Sequence, residues 1–320
     1  MILNHSIVFL ALLLVSLIYY RLAKKFNIVD KPNQRSSHSE VTVRGGGIIF
    51  PLAIIFWWIV FDFSHSWMVL GLVLISSVSF LDDIYSLSRK LRFGTQFIAL
   101  SMSFYDLGVF AKEPLWSLPI LYFIALGIIN AINFMDGING ITGLYHVVFF
   151  GSILAVNQYF PIFEGEMIQY IILGILVFLI FNLKKRALMF AGDIGSISLA
   201  YLVIYFLTQW YLTAENWTII LFLIVYGVDS FLTLGQRLLK RENVTQPHRA
   251  HLYQLFANQL KIGHVTIAIV FSLAQFLVNF LFFILPGGYP SGLVAGISLI
   301  AFAAIYLILK ISIQRKFGLT

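Results

Sequence analysis

Apolar and polar positions along this chain follow one long wavelength, with apolar stretches of about 20 residues separated by short polar gaps. The apolar stretches lie at about 2–20, 46–63, 67–81, 93–110, 116–132, 141–157, 167–182, 194–211, 217–234, 264–285 and 291–309. Each approaches the length of a membrane-spanning helix, although the third and seventh are short. The gaps are mostly too brief to hold a soluble domain. The pattern therefore predicts one polytopic domain over residues 1–320, an all-α integral membrane protein of about 11 transmembrane helices. The first stretch lacks a basic segment before it, and Arg21, Lys24 and Lys25 follow it, so it reads as a retained span rather than a cleaved signal.

Lysine and arginine placement sets the expected orientation. With the loop at 21–45 placed inside, alternation puts every basic residue except Lys112 on that side. The outer gaps carry Asp62, Asp106, Glu113, Glu164, Glu166 and Glu215 instead. An odd number of crossings then places the N-terminus outside and the C-terminus inside. Composition agrees, since 60% of residues are hydrophobic and 11% are charged, with a mean hydropathy of +0.91. The net charge of +7 is on this reading a topology signal that also favours anionic lipids and phosphates, and it calls for no nucleic acid. Without cysteine there is no disulfide framework and no thiolate metal site. No internal repeat or low-complexity linker is visible.

The polar residues that are costly near hydrocarbon collect in the inner gaps. Asp82-Asp83 ends the third stretch, where a helix C-terminus makes acids unfavourable, and neighbouring side chains point roughly 100° apart. They suit metal or phosphate handling, or a solvated pair neutralised by Arg89, Lys90 or Arg92. Asn130, Asn133 and Asp136 recur every third residue at the inner end of the fifth stretch and are expected to share a helix face. The following Gly137-Ile-Asn139-Gly140 turn offers backbone N–H groups to an oxyanion. Asp193 opens the eighth stretch either as a helix cap or as a hard ligand for Mg²⁺.

The longest inner gap contains Pro247-His248-Arg249-Ala-His251. Pro247 is expected to start a short helix whose N-terminus, with His248, Arg249 and His251, clamps a diphosphate. Leu252, Leu255, Phe256 and Leu260 would lay that helix on the membrane surface. In the first inner loop, Arg44 precedes Gly45-Gly46-Gly47, glycines that permit close packing or backbone approach to a ligand. Asp229 is either a site acid or a partner for Arg237.

Taken together, these gaps over about residues 29–256 resemble the polyprenyl-phosphate N-acetylhexosamine-1-phosphate transferases, in the same motif order. Asp82-Asp83 with Arg92, Asn130 through Gly140, Gly192 to Gly195, and the late histidine motif match in turn. The resemblance implies Mg²⁺, or Mn²⁺, on Asp193 with Asn133 as second ligand. It implies catalytic roles for Asp82, Asp83 and Asp136, and substrate contacts for Arg44, Arg92, Asn130, Asn139, His248, Arg249 and His251. Two departures stand out. Asn139 replaces an aspartate, and Tyr253 and Gln254 replace histidines. With Arg35-Ser-Ser-His38, the late pattern looks most like the branch that initiates O-antigen or outer-core lipopolysaccharide units, often with 6-deoxy sugars.

The implied reaction transfers an N-acetylhexosamine 1-phosphate from a UDP-sugar to undecaprenyl phosphate, releasing UMP. The implied setting is the bilayer of the bacterial inner membrane, with a periplasmic N-terminus, a cytoplasmic C-terminus and a cytoplasmic active site; a homodimer is compatible with it. The main rival is an ion-coupled transporter, which would place its polar groups near the midplane in repeated halves. Here they gather at one surface.

Overall fold

The computed structural model describes residues 5–31, 40–243 and 249–319. Helices dominate because backbone groups in hydrocarbon have no water to bond and must be satisfied within their own segment. In chain order, α1 (His5–Lys25) leads to a short antiparallel pair, β1 (Val29–Asp30) and β2 (Thr42–Val43). A 3₁₀ turn, Gly46–Ile48, opens α2 (Ile49–Val60). Next come α3 (Ser66–Tyr85), α4 (Arg89–Asp106), the single turn α5 (Val109–Lys112), α6 (Leu118–Met135), α7 (Ile141–Val156), α8 (Gly165–Asn182) and α9 (Gly192–Ala214). A 3₁₀ segment, Trp217–Leu223, continues as α10 (Ile224–Leu239). The short α11 (Leu252–Asn258), α12 (His264–Asn279) with a π-helical extension Phe280–Ile284, and α13 (Gly292–Lys316) complete the chain.

The described parts of the apolar stretches read from the sequence fall mostly on these helices. Among the described residues, eight helices are long and apolar enough to cross a membrane, and Gly46–Val60 and Ile141–Val156 are shorter apolar helices. The most enclosed is α9, whose side chains from Ile194 to Leu207 are buried without a break. It packs against α2, α3, α4 and α6. By contrast α1, α6 and α13 leave much of their apolar surface uncovered, as helices facing lipid do.

Where α10 begins as a 3₁₀ segment, a side chain replaces the missing helical bonds. Gln275 of α12 donates to the Leu221 carbonyl at 2.9 Å and accepts from the Val225 N–H at 3.2 Å and from Tyr145 Oη at 2.9 Å. Its amide also donates to Asn279, which donates to Ser152. This buried polar seam is saturated by its own bonds, which is how an irregular backbone persists among apolar helices.

Two expectations about the late loop need correction. The short helix starts at Leu252, five residues after Pro247, with His251 as its N-cap residue and Arg249 two residues earlier. The His251 N–H donates to the Gln254 side chain at 3.2 Å, which closes the first turn. The apolar side of α11 does not lie on the membrane surface either. Leu252, Tyr253 and Leu255 are buried and Phe256 meets Phe271, because α12 and α13 supply a protein surface to cover them. Pro247 and His248, like Arg35 and His38, lie outside the described residues.

Candidate active site

The centre of the site is made by three segments that meet at the N-terminus of α9. In the first inner loop β2 runs into three glycines. The Gly46 and Gly47 N–H groups donate to the Phe190 and Ala191 carbonyls at 2.8 and 3.0 Å, and Phe190 N–H donates back to Val43. Gly47 lies against Gly195, where a Cβ on either would strike the other's backbone. The triple glycine thus serves close packing, which draws the next residue upstream, Arg44, over the start of α9. Tyr19 of α1 fixes it by donating to the Arg44 carbonyl at 2.6 Å.

Asp83 enters from the last turn of α3. Its Oδ1 accepts from the Asp193 N–H at 2.9 Å and its Oδ2 from the Ile194 N–H at 3.1 Å. Arg44 Nε lies 2.7 Å from Oδ1. The carboxylate is fully enclosed and fully bonded. It caps a helix to which it does not belong, where the positive end of the α9 dipole favours an anion. Capping, anticipated for Asp193, therefore falls to Asp83. Gly192, at φ +72°, leaves room for that carboxylate, and a Cβ there would collide with it.

Asp82 points elsewhere. It accepts from the Leu87 N–H and from Arg92 Nη1, the latter at 2.9 Å. Asp193 projects beside both acids, within electrostatic reach of each, with its Oδ1 3.7 Å from Arg44 Nη2. It is the most open of the three, its side chain 20% exposed.

The end of α6 supplies the opposite wall. Asn133 Oδ1 accepts from Ser196 Oγ at 2.8 Å, one turn along α9 from Asp193. Asp136 terminates α6 and accepts from Thr142 Oγ1. Burial pushes its carboxyl up to about 6, the Thr142 bond opposes this, the charge of Asp83 adds to it and that of Arg44 reduces it. Asn130 does not join this face. It is exposed, and its amide donates to the Leu126 carbonyl of its own helix at 2.7 Å. At 3.6 residues per turn, positions 130 and 136 stand about 120° apart, so the spacing overstated their common face.

The glycine turn after Asp136 meets expectation only in part. The Gly137 and Gly140 N–H groups are bonded to Met135 O and Asn182 Oδ1, so these two are not offered to an oxyanion. Asn139 is buried, with Nδ2 donating to the Lys184 and Lys185 carbonyls at 2.9 and 3.3 Å. Its Oδ1 is buried without a hydrogen-bond partner. A cavity of about 660 Å³ is lined there by Asn139, Phe190, Lys185, Arg186, Asn258 and His264, among others.

His251 is only 2% exposed. Its Nδ1 lies 2.8 Å from Asp229 Oδ1, and its ring is stacked on Tyr253 and tilted against Phe134. It is held inside the protein by a buried carboxylate that needs donors, not presented at the surface as a clamp. Arg249 remains at the exposed start of the turn. Asp229 is not the partner of Arg237, which pairs with Glu242 at 2.9 Å. Thr142, Asn182, Ser196 and Tyr19 were not singled out in the sequence. Their only signal is a polar side chain near the inner end of an apolar stretch.

Among the described residues no three histidine or acidic side chains already form a metal-ligand group. The donor chemistry nevertheless fits a hard divalent cation. Among the described residues, Asp82, Asp83, Asp136 and Asp193 lie with Arg44 and Arg92, four formal negative charges against two positive ones, and Asn133 adds a neutral oxygen. Mg²⁺ characteristically takes one or two carboxylates and completes its shell with water and substrate phosphate.

Residues 65–211 match glycosyl transferase family 4, a span containing both acids of α3, the α6 motif and Asp193. Over 269 residues the chain is 26% identical to a Bacillus subtilis (strain 168) protein named "Probable undecaprenyl-phosphate N-acetylglucosaminyl 1-phosphate transferase", covering 76% of this chain and 74% of that one. It is 28% identical over 270 residues to the Escherichia coli (strain K12) undecaprenyl-phosphate alpha-N-acetylglucosaminyl 1-phosphate transferase, covering 73% and 70%. It is 27% identical over 267 residues to the Thermotoga maritima phospho-N-acetylmuramoyl-pentapeptide-transferase, covering 75% and 84%. The chain is thus similar to glycosyl transferase family 4 over residues 65–211, and the relatives that it resembles over about three quarters of its length bear the names of phospho-sugar transferases.

Proposed function

We propose that this protein transfers an N-acetylhexosamine 1-phosphate from a UDP-sugar to undecaprenyl phosphate, giving undecaprenyl-diphosphate-sugar and UMP. The reaction would take place at the cytoplasmic face of a bacterial inner membrane, as the first step of O-antigen or other surface-polysaccharide assembly. The observation that carries this reading is the gathering of Asp82, Asp83, Asp193, Asn133 and Asp136 around the start of α9 at one end of the bundle, with Arg44 on Asp83 and Asp193 and Arg92 on Asp82. That end is the one the basic-residue bias assigns to the cytoplasm.

In this reading an oxygen of the lipid phosphate forms a bond to the β-phosphorus of the UDP-sugar. The bond from that phosphorus to the bridging oxygen breaks, and UMP leaves with the electron pair. No strong base is needed, because a phosphate monoester is largely ionised near pH 7. Two anions must meet, so charge neutralisation is the main task. Arg44, Arg92 and Arg249 supply the protein's positive field. Asp193 and Asn133 would hold Mg²⁺, which when bound supplies Lewis-acid stabilisation to the diphosphate oxygens.

The acids of α3 act by positioning. Asp83 fixes Arg44 and the start of α9, and Asp82 fixes Arg92. Their existing bonds favour direct displacement over attack by either carboxylate on phosphorus. The nucleoside would occupy the cavity beside Asn139 and Phe190. There the Asn139 Oδ1 offers an acceptor to an imide N–H, and Phe190 offers an aromatic face. Asn139 shares its loop with Asp136, and Phe190 precedes Asp193 by three residues, so base and diphosphate sites adjoin.

The deciding experiment incubates purified protein with a panel of UDP-N-acetyl sugars, with and without undecaprenyl phosphate and Mg²⁺. UMP release that requires all three components supports the reading and names the sugar. Release without the lipid, or none with any sugar, overturns it.

A further inference from the structure

The late turn carries a buried charged network outside the acid cluster. Asp229 of α10 is completely buried, and four donors converge on its carboxylate. His251 Nδ1 and Tyr306 Oη each lie 2.8 Å from Oδ1, Thr233 Oγ1 lies 3.2 Å from it, and the Leu252 N–H donates to Oδ2 at 3.1 Å. Behind Thr233, the buried Lys310 of α13 donates to its hydroxyl at 2.6 Å. With the Leu252 N–H and the Tyr306 hydroxyl donating to it, the Asp229 carboxylate acts as the acceptor toward His251, which matches the tautomer that carries its proton on Nδ1.

The network does not stop at the histidine. Two residues on, Tyr253 donates its hydroxyl to the Phe134 carbonyl at 2.9 Å. The same hydroxyl lies against Gly137, where any Cβ would strike it. Phe134 lies between Asn133 and Met135, one residue from a proposed metal ligand and two from Asp136. A continuous line of bonds therefore runs from α13, through Asp229, His251 and Tyr253, to the end of α6.

We infer that Asp229 is a positioning residue for the transfer reaction: anchored by Tyr306 and Lys310, it holds His251, and through the His251–Tyr253 turn it sets the α6 terminus that carries Asn133 and Asp136. Buried polar networks act as units when fully satisfied. The last helix, outside the segment that matches the family, thereby contributes to the site without touching substrate. The kinetic consequence rests on the transfer reading; the bonding consequence does not.

The test has two arms. In ¹⁵N-histidine-labelled protein in lipid nanodiscs, with His251 assigned by a His251→Gln control, wild type is expected to show a single tautomer protonated at Nδ1. Asp229→Asn is expected to lose it. An unchanged His251 resonance in Asp229→Asn overturns the inference, whatever the enzyme transfers.

The second arm compares Asp229→Asn, Tyr253→Phe and the double variant in UMP release. Each single variant should raise the KM for the UDP-sugar roughly 10-fold, as loss of an orienting carboxylate does for other functional histidines. The double variant should be no worse than the worse single, since both cut one chain. Effects that multiply, or a lower kcat at constant KM, would point to independent structural damage and overturn it. Should Asp229→Asn not fold, Tyr306→Phe removes one donor only and should shift the same KM by less; an unchanged KM there counts against the inference. A wild type silent toward every UDP-sugar would refute the transfer reading, and the resonance arm would still decide the anchoring.

Discussion

Asp83 and Asp193 lie 110 positions apart, yet the carboxylate of one accepts the backbone N–H of the other at 2.9 Å. Two acids at the C-terminus of α3 oppose that helix's dipole. One of them is stabilised because the N-terminus of α9 meets it with the opposite partial charge, and Arg44 adds a full one. The same contact places the Asp193 side chain beside Asp82, so a local electrostatic conflict becomes the frame of the site.

Asp83→Ala should remove the cap and leave Arg44 unpaired. Unsatisfied buried groups of this kind cost about 1–3 kcal/mol. A lower melting temperature, together with lost transfer, is expected in lipid nanodiscs. Asp83→Asn retains an acceptor for one N–H and should recover most of the stability but little of the activity. Equal melting temperatures for wild type and Asp83→Ala would show that the cap contributes nothing.

Asp193→Ala should behave differently. The side chain is not the helix cap and is partly open, so melting should change little while UMP release falls by more than the roughly 100-fold typical of losing an outer partner. Its dependence on Mg²⁺ should go with it. Retained Mg²⁺-dependent activity would remove Asp193 from the proposed metal site.

Asn139→Asp is a revealing exchange, because an aspartate is the residue that the resemblance leads one to expect here. If position 139 only contacted a base, the change would be harmless. The structure gives Nδ2 two carbonyl acceptors, and a carboxylate would face both without a proton to donate. The expected result is a destabilisation of about 1–3 kcal/mol, read as a lower melting temperature, with altered donor KM. An unperturbed melt would show that Lys184 and Lys185 find other donors.

At the opposite end of the bundle, His65 Nδ1 lies 2.7 Å from Asp106 and Nε2 lies 3.1 Å from Glu164, with Tyr205 donating to Asp106. The hydrogen bond to Asp106 raises the His65 pKa; burial opposes this, and the charges of Asp106 and Glu164 add to it. A raised folded value means that protonated His65 favours the folded state. Its contribution is complete below the unfolded value of about 6.5 and fades as pH rises through the higher folded value. Thermal stability should therefore decline across that window in wild type and not in His65→Gln. Parallel pH profiles would contradict the assignment.

Much of this was legible in the chain. The apolar stretches mark the helices because lipid-facing segments need apolar length and internal bonding, both local properties. The inner gaps mark the site because acids and amides near hydrocarbon are rarely incidental. Less visible was which member of each motif faces inward. Asn130 matches the motif yet turns outward, and His251 matches it yet is buried on Asp229. Tyr253 and Gln254, which depart from the commonest pattern, close the α11 turn and tie it to α6.

The sequence by itself determined the class of molecule, the places of its helices and the polar segments that matter, since these depend on composition and on spacing within a segment. Only the tertiary structure decided that Asp83 caps α9, that Arg44 sits among the acids, and that Asp229 joins the last helix to the end of α6. Those partners lie tens of residues or more apart along the chain. Pairing across such separations is set by which buried charge has a donor within about 3 Å once the helices pack, and no local pattern encodes that.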